Sequence, residues 1–138
     1  MTTPDAGQPG ANGALRVVLV DDHEQLRSLY ERFLKDAGDI DVVASCSTAQ
    51  DGIDAAGRLH PDVVLLDLSL PDIAGLDAID LVRAQAPETH VIVVSGSDAS
   101  IASRDVVAAG ADAFVDKIDV ARALLPTIRR VVAPRDER

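Results

Sequence analysis

Two kinds of hydrophobic pattern alternate along this chain. Residues 15–20 (LRVVLV), 62–66 (DVVLL) and 91–94 (VIVV) are short, rich in β-branched or aliphatic side chains, and almost continuously apolar. Strands covered on both faces read this way, whereas a half-exposed strand alternates. Residues 40–45 and 113–115 are weaker candidates of the same kind. Between these runs the apolar positions take helical spacing. Leu26, Leu29, Tyr30, Phe33, Leu34 and Ala37 recur at intervals of three and four, and Gly38 suits a left-handed cap behind them. Residues 48–59 place Ala49, Ile53 and Ala56 on one face and stop at Pro61. Leu76, Ile79, Leu81 and Val82 mark a third helix ending before Pro87. Residues 98–109, Ala-rich and weakly amphipathic, form a fourth ended by Gly110, and residues 119–132 a fifth, in which Pro126 is expected to kink or fray the helix.

Five strands alternating with five helices imply right-handed βαβ units, hence an α/β domain with a parallel sheet covered on both faces. Pattern alone leaves the strand order open. The 138 residues suit one domain, expected over 15–132, with a flexible tail at 1–14 and a charged tail at 133–138.

Composition narrows the function. Thirteen basic against 23 acidic residues give a net charge of −10, which argues against direct nucleic-acid or anionic-membrane binding. One Tyr, two Phe and no Trp leave an aliphatic core and little to stack on bases. Cys46 is alone, so it forms no internal disulfide or cysteine-based zinc site. The first residues carry no basic flank or apolar run, and no stretch nears the roughly eighteen apolar residues of a membrane span, so a cytoplasmic location is expected.

The chemistry lies at the strand ends. The first strand runs into Asp21 and Asp22, the third into Asp67, the fourth into Ser95 and the fifth into Asp116 and Lys117. Open α/β sheets bind ligands outside those carboxyl ends. Three crowded carboxylates repel one another, and a divalent cation relieves the strain. Oxygen-only ligands point to Mg2+ or Mn2+. A carboxylate beside such an ion can act as a nucleophile toward phosphorus, with Lys117 and Ser95 facing the phosphoryl oxygens.

These stretches (VVLVDDH at 17–23, DVVLLDLSLPDIAGLD at 62–77, VIVVSGSD at 91–98 and GADAFVDK at 110–117) resemble the receiver domain of a two-component response regulator. The resemblance covers residues 15–132 and implies the flavodoxin-like order 2-1-3-4-5. It implies Asp67 as phosphoacceptor, Asp22 as a direct Mg2+ ligand, Asp21 as a ligand mainly through water, and the Ser69 backbone carbonyl as a further ligand. Lys117 would pair with phosphoryl oxygens, while Ser95 and Phe114 would be the coupled switch residues that reshape the face of strands four and five and helices four and five. The phosphodonor would be a sensor histidine kinase or phosphotransfer protein. The output would be a partner in trans or a phosphorylation-dependent homodimer, since only 21 residues follow Lys117. The main alternative is a receiver from a longer LuxR-type DNA-binding regulator.

Singly, each residue has an ordinary explanation. Asp21 and Asp22 suit a helix start, Asp67 and Ser95 suit turns, and Lys117 suits an exposed surface. A strand aromatic such as Phe114 is often plain core. His23 reads as a solvated first-turn residue, Cys46 as small core, and His60 and His90 as surface. The combination at successive strand ends carries the case. Ala74, where Asp or Asn is frequent in the family, is expected to leave helix three without a side-chain cap, and Ile118 replaces a common Pro after Lys117. A phosphohydrolase with an aspartyl nucleophile would want a second Asp where Ser69 stands. A phosphate-independent binding module would not demand all five site residues. The expected protein is a signalling switch, not a turnover enzyme.

Overall fold

Each apolar run becomes a strand. In the computed structural model, which describes residues 13–96 and 103–133, these are β1 (Leu15–Val20), β2 (Ile40–Cys46), β3 (Val63–Asp67), β4 (His90–Ser95) and β5 (Ala113–Asp116). They form one parallel sheet in the order β2-β1-β3-β4-β5, as the resemblance implies. The helices are α1 (Glu24–Asp36), α2 (Ala49–Leu59), α3 (Gly75–Gln85), α4 (Ser103–Ala108) and α5 (Val120–Val132).

Alternate residues of the same strands feed two separate cores, which explains the unbroken hydrophobicity of the central strands. Val18, Val20, Val64, Leu66, Val91 and Val93 pack with Ile53 of α2, Ile79 and Val82 of α3, and Val106 of α4. Val17, Leu19, Val63, Leu65, Ile92 and Val94 meet Tyr30 and Leu34 of α1 and Leu124 and Ile128 of α5 on the other face.

Boundaries differ from expectation where side chains intervene. Asp62 stands outside β3 because its carboxylate accepts the Arg16 backbone N–H at 2.8 Å. Thr48 is the cap of α2 and not its first residue, accepting from the Asp51 N–H at 3.1 Å. That helix closes on left-handed His60 (φ 45°), held between Leu59 and Pro61. Gly38 takes the positive φ (88°) expected after α1. Ala74 caps α3 without a side-chain bond, also as expected.

The expected fraying at Pro126 does not occur: the helical assignment of α5 continues through it to Val132. Val120, Leu124 and Ile128 bury one face of α5, while Pro126 sits on the exposed side, so packing outweighs the single hydrogen bond that proline removes. Residues 97–102, which include the start of the expected fourth helix, and nearly all of both expected tails lie outside the described residues. No helix among the described residues is long and apolar enough to cross a membrane.

Candidate functional site

Sheet order and register assemble the site. Val20 pairs with Leu66, so Asp21 emerges alongside Asp67, the last residue of β3. Both carboxylates are buried, Asp21 at 2% and Asp67 at 3% exposure, whereas Asp22 is exposed. Asp67 pairs with Val94, which places Ser95 one residue further toward the same edge, itself 2% exposed. From the end of β5, Lys117 places Nζ 3.1 Å from Asp67 Oδ2 and 3.6 Å from Asp21 Oδ2. The structure therefore brings Asp21, Asp22, Asp67, Ser95 and Lys117 to one edge of the sheet.

Every oxygen of the buried pair is engaged. Asp67 Oδ1 accepts the Ser69 N–H at 3.0 Å and its hydroxyl at 2.9 Å. The Ser69 side chain thus takes part directly, beyond the backbone carbonyl the resemblance supplies. Asp21 Oδ1 accepts the His23 N–H at 2.8 Å. Burial draws the Lys117 ammonium down, but the hydrogen bond and charge of Asp67, with Asp21 and Tyr30 behind, outweigh it and hold the ammonium above its ordinary value. Burial also raises the Tyr30 phenol, Lys117 opposing and the two carboxylates reinforcing, so that residue is neutral at neutral pH.

Residues that sequence reasoning passed over frame this core. Arg27 donates from Nη1 to the Asp21 carbonyl at 2.7 Å, one α1 turn beyond His23. Asp72, in the loop after β3, accepts the N–H groups of Ala49 (3.0 Å) and Gln50 (2.9 Å), tying that loop to the start of α2. Those bonds hold its carboxyl below the usual range. The imidazole of His23, expected to be merely solvated, turns back to the acidic pair, Nδ1 lying 3.4 Å from Asp21 Oδ1 and 3.3 Å from Asp22 Oδ1. Its position directly after two aspartates was the available signal. Cys46 is buried and His60 exposed, as expected, while His90 is half-buried beside Asp112.

Phe114 is partly buried on the α3–α4 face of the sheet, packed against the core that includes Val106. Ile118, in a 3-10 turn after Lys117, is 82% exposed. Its presence does not loosen Lys117 from Asp67.

Asp21, Asp22, His23 and Asp67 each offer a ligand atom within 4.8 Å of the others. Hard oxygen donors in excess over the neighbouring ammonium suit a divalent cation.

A five-stranded parallel sheet of order 2-1-3-4-5 with five helices and an acidic pocket at its carboxyl edge defines a flavodoxin-like α/β domain. The sequence pattern of the response regulator receiver domain matches residues 17–129. Among curated relatives, the nitrate/nitrite response regulator NarL of Escherichia coli is 34% identical over 120 residues, covering 85% of this chain and 54% of that protein. A nitrate/nitrite response regulator homolog of Haemophilus influenzae is 32% identical over 117 residues, covering 85% and 56%. Among solved structures, the response regulator domain of Thermotoga maritima CheB superposes with a TM-score of 0.79 at 26% identity, covering 89% of this chain and 99% of that one. A LuxR-family two-component response regulator from Aurantimonas gives 0.81 at 27% identity, covering 88% and 87%. This chain belongs to the response regulator receiver family. It spans about half the length of the curated relatives it matches. Receiver domains bind Mg2+ at an acidic pocket, and the donor set here fits that ion.

Proposed function

We propose that this domain is a phosphorylation-dependent switch in which Asp67 takes a phosphoryl group from a phosphohistidine on a sensor kinase or phosphotransfer protein. The observation that carries the reading is the buried Asp67 carboxylate, bonded to Lys117 at 3.1 Å and flanked by Asp21 and Asp22. One Asp67 oxygen forms the new P–O bond as the donor's P–N bond breaks, and the electron pair leaves on the imidazole, which takes up a proton from solvent. Lys117 passes from the carboxylate to a phosphoryl oxygen. Ser69 orients Asp67 through Oδ1. Asp22 and Asp67 would hold Mg2+, with Asp21 acting through water and the Ser69 carbonyl completing the protein ligands. The ion supplies counter-charge for the phosphoryl oxygens.

Ser95 then moves toward the phosphoryl group, and Phe114 turns inward beside α4. The phosphoryl group biases an existing equilibrium of the α4–β5–α5 face. That face engages an output protein in trans or a second copy of the chain. Hydrolysis of the aspartyl phosphate at the same pocket resets the switch, and the domain turns over no other substrate. Its place of action is the cytoplasm. Coverage of only half of the relatives' length favours a second reading, in which the same switch belongs to a longer LuxR-type DNA-binding regulator. Reading the gene past the Arg138 codon separates the two.

Beryllofluoride, an aspartyl-phosphate mimic, tests the switch. With Mg2+ it should shift the amide resonances of Ser95, Phe114 and Lys117, and Asp67→Asn should abolish the shifts. Unchanged spectra with Mg2+ bound would instead favour a phosphate-independent binding module.

A further inference from the structure

We propose that His23 is a fourth side-chain ligand of the acidic pocket, so that the pocket takes divalent metals that favour an imidazole, such as Ni2+ and Zn2+, in preference to Mg2+. The inference rests on reading Asp21, Asp22 and Asp67 as a metal pocket, and adds to it the nature of the metal.

The backbone sets the imidazole in place. The His23 N–H is bonded to Asp21 Oδ1 at 2.8 Å, and the residue is extended (φ −87°, ψ 104°) as the cap of α1. Its side chain makes no capping bond. The ring instead points Nδ1 between the two aspartates, at 3.4 and 3.3 Å, while 63% of the side chain remains open to solvent. Four ligand atoms lie within 4.8 Å of one another. Ligands on opposite sides of an ion with bonds of about 2.1 Å stand about 4.2 Å apart, so small side-chain movements close the set on a metal. Carboxylates and carbonyls suit Mg2+ and Mn2+, whereas an imidazole nitrogen favours Ni2+ and Zn2+ and adds little for Mg2+. The other two histidines, His60 before β3 and His90 at the start of β4, stand at the opposite edge of the sheet and cannot substitute.

The same geometry suits a simpler role, a protonated His23 balancing the carboxylates. The two roles predict opposite signs. A counter-ion repels an incoming cation, so its removal tightens every metal, Mg2+ included. A ligand's removal weakens the transition metals alone.

The test uses the full chain without a histidine tag. Pulsed electron paramagnetic resonance of the Mn2+-loaded protein should show nitrogen coupling from one imidazole, and His23→Gln should lose it while retaining the ion. By calorimetry, His23→Gln should weaken Ni2+ binding by about tenfold or more and leave Mg2+ within about twofold. Mn2+ bound without nitrogen coupling, or coupling unchanged in His23→Gln, overturns the inference and spares the pocket. Joint tightening of Ni2+ and Mg2+ in the variant does the same and assigns the counter-ion role. Failure of the wild type to bind Mn2+ at all overturns the metal pocket, and the inference with it.

Discussion

Asp67→Asn should stabilise the metal-free domain, because Asp67 sits in a pocket that is electrostatically strained without a cation. The carboxylates of Asp21, Asp22 and Asp67 place oxygens within 4.8 Å of one another. At an effective dielectric of about 20, unit charges at that distance repel by about 3.5 kcal/mol per pair. Asp67 faces two such neighbours and recovers about 5 kcal/mol from Lys117 at 3.1 Å. Asp67 therefore stands on the repulsive side by about 1–2 kcal/mol, before the desolvation of a carboxylate that is 3% exposed. The isosteric amide removes the charge and keeps an acceptor for Ser69. Urea unfolding in chelator, followed by circular dichroism, should show Asp67→Asn more stable by about 1–2 kcal/mol, with an unchanged slope against urea. Mg2+ at a hundredfold excess over its Kd should stabilise the wild type by about 2.7 kcal/mol and so reverse the order. A variant equal to or less stable than the wild type in chelator would refute the reasoning, since Lys117 would then already neutralise the pocket.

Lys117→Met removes the cation shared by two buried carboxylates and should destabilise the metal-free domain by about 2–4 kcal/mol, with Mg2+ restoring part of the loss in the same urea assay. Gly52→Ala should cost about 1–3 kcal/mol and shift the Asp21 amide resonance, because the new Cβ would lie 2.6 Å from Cγ2 of Val20, the residue leading into Asp21. Asp72→Asn should cost about 0.5–1 kcal/mol at neutral pH, the low end for a helix-capping carboxylate because Asp72 is exposed. The Asp72 carboxyl is depressed in the folded state, so its contribution is full above the unfolded value of about 3.9 and disappears as pH falls through the folded value. Urea midpoints of wild type and Asp72→Asn should therefore converge in acid, and a constant gap would show that its charge is irrelevant. Leu34→Ala, at a fully buried α1 position facing β1 and β3, should cost about 3 kcal/mol in urea and leave metal binding intact.

The central strands were legible because each serves two cores, which forces every position to be apolar. β2 is an edge strand whose Asp41 and Ser45 are exposed and whose Val42, Val43 and Ala44 are only half-buried, so its signal is diluted. β5 sits at the other edge and shows the same weakness. Pro126 does not end α5, because packing that local propensity leaves out holds the helix on either side of it. At the site, residues fixed by strand ends were readable from chain position, and the sheet order then joined them. Asp72 was not, because its bonds to Ala49 and Gln50 cross 23 and 22 residues and leave no local trace. His23 is solvated as expected, with 63% of its side chain open. Only the fold shows that its ring also turns back toward the aspartates.

The central claim is that Asp67 carries the phosphoryl group, and reductive trapping tests it most directly. The chain is incubated with Mg2+ and a small-molecule acyl phosphate, then treated with borohydride, which reduces an aspartyl phosphate to homoserine. Peptide mass spectrometry should find homoserine at position 67 alone, absent without the phosphodonor and absent in Asp67→Asn. Homoserine at Asp21 or Asp22, or none anywhere with Mg2+ bound, would contradict the account.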